Sequence, residues 1–273
     1  MKSISFIRIL MISLFFISCE DVVDIDLKTA PPKLVVEASI EWLKGTSGSV
    51  QLIRLSTTTD YYATEIPAVS NATIRVENSK NDLFIFQESD VAGNYICNNF
   101  VPELNETYRL FIDYNGEIFT AEETLLPVPE ITRVEQVNDG GFSGEDIEVK
   151  FFFDDIKDNS NFYLSYFKSP YVVFPEYGVS SDEFFENNEM FSLYFSEDLK
   201  AGDALDFTLG GISETYFNYM NILLSQGGVN NGGPFQTPSS TVRGNIVNQT
   251  NFDNFALGFF RLSETDEKIY IVQ

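Results

Sequence analysis

Short alternations of apolar and polar residues dominate the chain from Lys33 onward. Ala72, Ile74 and Val76 alternate with polar partners, and so do Tyr108, Leu110 and Ile112. Period-two alternation marks a strand with one face on a core. Leu34-Val35-Val36, the run from Val50 to Leu55, Leu83 to Phe86 and Gly93-Asn94-Tyr95 add further short strands, separated by Gly-, Ser- and Asn-rich turns. Asn115-Gly116 lies between two alternating runs and predicts a two-residue hairpin. About seven strands at this spacing predict a β-sandwich, assigned to residues 33–126. Leu126-Pro127-Val128-Pro129 follows as a boundary, because two prolines interrupt pairing and stiffen the joint.

Residues 127–273 repeat the strand pattern less regularly. Apolar positions at Ile147, Val149, Phe151 and Phe153, then Phe162 to Phe167, Phe191 to Phe195, Leu205 to Leu209, Val242 to Ile246, Phe255 to Phe260 and Ile269 to Val272 predict strands. One segment changes period. Ser213 is a good N-cap with Glu214 behind it, Tyr216, Tyr219 or Met220 and Leu223 fall at helical spacing, and Gly227-Gly228 stops the run. A helix near 213–226 is expected to cover one face of a sheet. The chain is therefore expected to be mainly β, with two β-sandwich-like domains and one helix on the second. No internal sequence repeat of fixed period is present.

The first residues follow a different pattern. Lys2 and Arg8 precede a greasy run from Ile9 to Ile17, then Ser18 and Cys19. A basic start, a short apolar core and a small residue at the cut form a signal peptide, here 1–18. The run is too short to span a bilayer as a mature helix. A cysteine directly after the small residue is the bacterial lipoprotein signal. Cys19 is expected to carry acyl chains such as palmitate, each buried methylene contributing about 0.8 kcal/mol of anchoring. Residues 19–32 would be a tether, acidic at Glu20, Asp21, Asp24 and Asp26 and extended at Pro31-Pro32. Those acids resemble an export signal to the cell surface, so the expected location is the outer membrane, facing outward.

Charge and composition narrow the chemistry. Seventeen basic residues stand against 41 acidic ones, for a net charge of −24. Nucleic acid is excluded as a partner, and lipid rather than charge must hold the chain to a membrane. Histidine is absent, which removes His-dependent triads and His-ligated zinc. With Cys19 lipidated, Cys97 has no partner for a disulfide and reads as a small apolar strand residue.

Three loops carry candidate binding chemistry. Asp154, Asp155 and Asp158 stand with Asn159 and Asn161 within eight residues. Close oxygen ligands suit calcium, but the order is not that of an EF-hand, and a solvated turn capped by Asn and Asp is the simpler reading. Otherwise no cofactor is expected. Phe184 and Phe185 lie in an acidic-aromatic loop, and Asn231 and Phe235 lie in a long Gly/Asn-rich loop after the helix. Tyr61, Tyr62, Tyr171, Phe174 and Tyr177 are further aromatic candidates for an extracellular ligand. No local signature marks a carboxylate pair for glycan hydrolysis.

Two resemblances follow from these landmarks. Asn71 to Val76, Gly93-Asn94-Tyr95 and Tyr108-Arg109-Leu110 resemble a transthyretin- or immunoglobulin-like sandwich. Over nearly the whole mature chain, the sequence resembles the Bacteroidetes-type outer-membrane lipoproteins of unknown function, DUF4249. The carriers are Cys19 with Asp24-Ile25-Asp26-Leu27, Lys33 to Glu37, Ala72 to Val76, Asn161-Phe162-Tyr163, Leu199 to Asp203, Ile212-Ser213 with the helix, Gly232 to Phe235 and Val242 to Ile246. The chain departs from that pattern at Val247 to Asn251. The resemblance supplies no catalytic residues. It implies a non-catalytic accessory or ligand-capture protein beside a TonB-dependent β-barrel receptor. A structural or adhesive surface protein is the alternative, and a carboxylate-dependent glycan hydrolase a more distant one.

Overall fold

The computed structural model describes residues 30–60, 62–157, 160–183, 188–227 and 241–273. The first strands are β1 (Leu34–Leu43), β2 (Gln51–Thr57), β3 (Thr73–Asn78), β4 (Leu83–Glu88), β5 (Asn94–Cys97), β6 (Thr107–Tyr114) and β7 (Glu117–Thr124). There follow β8 (Ile131–Gly140), β9 (Asp146–Asp154), β10 (Phe162–Lys168), β11 (Glu176–Ser181), β12 (Glu189–Ser196) and β13 (Ala204–Ile212). Helix α1 (Glu214–Gly227), β14 (Val247–Asn248) and β15 (Leu257–Ile271) complete the described elements.

The two halves share one strand plan. In the first, β1-β2-β5 and β4-β3-β6-β7 are adjacent runs of one twelve-stranded sheet and fold over a common core. In the second, β8-β9-β12 oppose β11-β10-β13-β15 in the same relative order. First, second and fifth strands thus face the fourth, third, sixth and seventh, an immunoglobulin- and fibronectin-like arrangement. The mainly β, sandwich-like architecture expected from the sequence is present. The repeat exists in topology and not in sequence, because a sandwich requires alternation and turns but no particular apolar residue.

Alternation becomes burial as expected. In β6, Tyr108, Leu110 and Ile112 point inward between more exposed neighbours. They meet Val36, Ile40, Ile53, Ile74 and Phe119 in the first core. Cys97 ends β5 as a buried free thiol. The second core gathers Val149, Phe151 and Phe153 from β9 against Tyr163, Phe167, Leu205, Phe207 and Leu209. Leu125 belongs to the first core and Val128 to the second, on either side of Leu126-Pro127, and the first core takes further members from the end of the chain.

The last strand departs from the sequence reading. Phe255–Phe260 and Ile269–Val272 were expected as separate strands, but Leu257–Ile271 runs unbroken for fifteen residues. Its first part pairs in parallel with β1, from Val35↔Leu257 to Leu43↔Thr265. Its second part pairs antiparallel with β13, from Gly210↔Thr265 to Ala204↔Ile271. Phe260 and Leu262 enter the first core, with Ile246 and Ala256 beside them. Seven consecutive residues from Phe259 to Thr265 are buried, Arg261 and Glu264 included. A strand covered on both faces loses the alternation by which an isolated sequence announces it.

Val242–Ile246 is another difference. It was expected to be a strand, but only Val247 and Asn248 pair there, with Thr120 and Phe119. Asn245 instead supplies its side-chain amide to β15: Nδ2 donates to the Phe260 carbonyl at 2.9 Å, and the Phe260 N–H donates to Oδ1 at 2.9 Å. One amide satisfies both backbone groups that a paired strand would otherwise occupy.

Several bonds stiffen the joint between the halves. Glu264 N–H donates to the Leu126 carbonyl at 2.9 Å. The Glu264 carboxylate accepts from Val128 N–H at 3.0 Å and pairs with Lys44 at 3.1 Å. Asp266 accepts from Ile131 N–H at 2.7 Å. Gly211 lies so close to the Pro127 carbonyl that a Cβ there would overlap it. Gly258 adopts φ +92°, and a Cβ there would strike the Val36 carbonyl.

Candidate functional site

Two of the loops that the sequence singled out in the second half meet at their roots, and the third, after the helix, lies outside the described residues. The β9–β10 and β11–β12 connections are tied by reciprocal bonds. Asn161 N–H donates to the Asp182 carboxylate at 2.7 Å, and Asp182 N–H donates to the Asn161 carbonyl at 3.1 Å. Asp155 N–H donates to the Asn188 carbonyl at 3.1 Å. The N-terminus of α1, reached directly from β13, borders the same cavity as the β9–β10 loop. Ser213 caps it as expected, its Oγ accepting from Tyr216 N–H at 3.2 Å. The buried face of the helix is Tyr216 and Met220, with Phe217, Tyr219 and Leu224 partly covered. Leu223, expected on that face, is exposed, so the apolar stripe is rotated toward the sheet residues Leu164, Ile212 and Phe259.

A cavity of about 450 Å³ opens where the β9–β10 loop and the start of α1 meet the end of the first sandwich. Glu123, Asn105 and Leu126 contribute from the first half and the linker, and Asn161, Ser213 and Glu214 from the second. Glu123 lies at its centre chemically. Its Oε2 accepts from Ser213 O–H at 2.8 Å and its Oε1 from Thr124 N–H at 3.2 Å. Burial raises its titration above the usual carboxylate range, against the opposing pull of those two bonds. Neither Glu123 nor Glu214 takes part in an ion pair among the described residues.

The sign of the Glu123 shift sets a pH dependence. Below the unfolded carboxylate pKa both states are protonated and the group is neutral to stability. As pH rises through that value the unfolded state ionises first, so this residue destabilises the fold progressively until the folded pKa is passed. Glu123→Gln retains an acceptor for Ser213 and removes the charge. It is expected to raise stability at neutral pH and to leave it little changed near pH 4, measured by urea unfolding at both pH values. Equal effects at the two pH values would contradict this.

The remaining predicted residues fall as follows. Asp154 is exposed at the end of β9, opposite Glu189. Asp155 is buried, and its Oδ1 accepts from Tyr163 O–H at 2.8 Å and from Asn161 Nδ2 at 3.4 Å. Its oxygens brace the loop against β10. Among the described residues no three acids or cysteines gather as metal ligands. Asp158, Phe184, Phe185, Asn231 and Phe235 lie outside the described residues, as do Cys19 and Tyr61. Tyr171 donates to Asp203 at 2.8 Å, and Phe174, Tyr177 and Tyr62 are exposed. Among the described residues no helix is long and apolar enough to cross a membrane.

Sequence reasoning missed Glu123 entirely. It sits in an alternating strand among other acids, and nothing local separates it from Glu117 or Glu122. It also missed a buried ionic cluster. Arg261, 4% exposed, donates from Nη2 to Glu41 Oε1 at 2.5 Å and from Nη1 to Ser263 Oγ at 2.9 Å. Tyr166 O–H donates to Glu41 Oε2 at 3.2 Å, and Tyr216 lies beside the guanidinium at 5.2 Å from its ring centre. Burial is the largest single influence and opposes the charge on Arg261, but Glu41, Tyr216 and Tyr166 together outweigh it and the net shift is upward.

The sequence pattern of the domain of unknown function DUF4249 matches residues 20–269, and the chain belongs to that family. No curated protein matches it. Among solved structures, a DUF4785 family protein from Legionella pneumophila aligns over 67% of this chain with 12% identity and a TM-score of 0.26. The chain spans 54% of that protein's length. A cytokine receptor complex aligns over 64% of this chain and 82% of its own, at 11% identity and a TM-score of 0.26. A two-domain fibronectin type-III segment of chicken tenascin aligns over 66% and 90%, at 8% identity and a TM-score of 0.22. Scores this low carry no activity or partner over to this chain.

Proposed function

We propose that this DUF4249 member is a non-catalytic capture protein, anchored to the outer membrane through lipid on Cys19 and serving a TonB-dependent uptake barrel. The observation that carries the capture role is the cavity at the joint, where the β9–β10 loop and the N-terminus of α1 meet the end of the first sandwich. Binding groups concentrate on loops held by a rigid scaffold, and small-molecule sites favour domain junctions. The shared strand β15 supplies that rigidity. A binding role rather than catalysis is supported by Glu123, whose two oxygens are engaged by Ser213 and Thr124. The anchor rests on the Ser18-Cys19 signal and its acidic tether, and the barrel rests on the family resemblance.

The test is a tagged pull-down from gently solubilised membranes, with crosslinking and mass spectrometry. The expected result is a stoichiometric TonB-dependent barrel, crosslinked to the 154–161 and 182–188 loops. Labelling with a palmitate analogue is expected to mark the wild type and to be lost in Cys19→Ala. Recovery of the lipidated protein alone would reject the barrel partnership and leave a surface-binding or structural role. An unlabelled wild type would reject the anchor.

A further inference from the structure

We infer that the cavity at the joint binds a small organic amine in its cationic form, with the ammonium seated on Glu123. This rests on the capture reading and names its ligand class. The lining supplies the reasons. Its acceptors are Glu123, Glu214, Asn105, Asn161 and Ser213, and among the described residues no lysine or arginine lines it. The N-terminus of α1 brings about half a positive charge, but Ser213 caps it and Glu214 stands in its first turn, so a carboxylate or phosphate entering there would still face two carboxylates.

Between a cation and a neutral hydroxylated ligand, the state of Glu123 decides. It is a largely buried carboxylate that receives only neutral donors, Ser213 O–H and Thr124 N–H. Burial is the largest influence on its titration, and no basic side chain counters it. A cation entering the cavity would supply the missing counter-charge, and a bond between two charged partners is roughly twice as strong as a neutral one. A sugar hydroxyl adds only a third neutral donor. The other part of the site is apolar: Phe162, Ile212 and Pro127 border the same space, which suits an amine carrying a hydrocarbon or aromatic body. The volume of about 450 Å³ lies in the range of small-molecule pockets, ~300–1,000 Å³. The class is thus a primary amine of small-peptide or aralkyl size.

The experiment uses the whole mature protein and isothermal titration with four probes: phenethylamine, glycyl-phenylalaninamide, its N-acetyl form and glucose. Both amines are expected to bind. N-acetylation and Glu123→Gln are each expected to weaken binding by about 10–100-fold, the worth of one hydrogen bond to a charged group. Glu145→Gln removes an exposed charge elsewhere and is expected to change nothing, which separates the site from general attraction to an acidic chain. Urea unfolding of Glu123→Gln confirms that the variant is folded. Equal binding of the N-acetyl form, preference for glucose, unchanged affinity in Glu123→Gln, or no binding of either amine would overturn the inference. The pull-down above is read separately. A barrel recovered without amine binding would defeat this ligand class and leave the accessory role standing, and amine binding without a barrel would do the reverse.

Discussion

A fragment spanning residues 30–126 is expected to remain unfolded, although it contains all seven strands of the first sandwich. Its core is completed from the far end of the chain by Ile246, Ala256, Phe260 and Leu262, all buried. Truncating one buried Leu or Ile costs about 2–5 kcal/mol and one Phe about 3–5. The loss of three such side chains together rivals the ~5–15 kcal/mol that holds a typical domain folded. The fragment also loses the partner of β1, whose nine register positions from Val35 to Leu43 face β15. That leaves a long unpaired edge beside an opened core, a template for aggregation. Circular dichroism and proton–nitrogen correlation spectra should show a collapsed or aggregated chain, and adding the separate 241–273 peptide is not expected to restore the intact fold efficiently. In the whole protein, both halves should unfold in one transition, with coincident signals from Trp42 fluorescence and far-ultraviolet circular dichroism. A dispersed, cooperative spectrum from the fragment would refute this account.

Glu41→Ala is expected to destabilise the protein by about 3 kcal/mol, toward the lower end of the ~3–5 kcal/mol cost of breaking a buried ion pair. Arg261 is buried and cannot shed its proton. Without Glu41 its Nη2 loses its only acceptor, and Nε already has none among the described residues. Tyr166 loses its acceptor as well. The lower end applies because the Glu41 side chain is 34% exposed, so water can replace part of it. Arg261→Met alone should cost less, since the carboxylate left behind can turn to solvent. The double variant Glu41→Ala/Arg261→Met removes both charges and is expected to recover most of the loss. The check is urea unfolding of all four proteins as a double-mutant cycle. If Glu41→Ala matches the double variant, the pair is not coupled and the cluster holds by packing alone.

These two expectations mark where local pattern stops being informative. The alternation at Ala72-Ile74-Val76 and Tyr108-Leu110-Ile112 needs no distant residue to be read, and it became β3 and β6 with those side chains inward. The same holds for Ser213 as a helix cap and for the hairpin at Asn115-Gly116. The positions of the candidate loops along the chain were legible, but the meeting of the first two was not. Asn161 and Asp182 are 21 residues apart, and only the return of β11 beside β10 brings them together.

What the sequence by itself determined is therefore the kind of structure: a mainly β chain with one helix, since period and punctuation act between near neighbours. Family membership was legible in the same way, from landmarks in order. The tertiary structure decided the rest. It placed Arg261 beside Glu41 across 220 positions, turned β15 into a strand shared by both halves, and set Glu123 against Ser213 across 90. Each of these depends on which strand edges meet and in what register. That choice minimises the exposed apolar surface and unpaired backbone of the whole chain at once, so no short window of residues contains it.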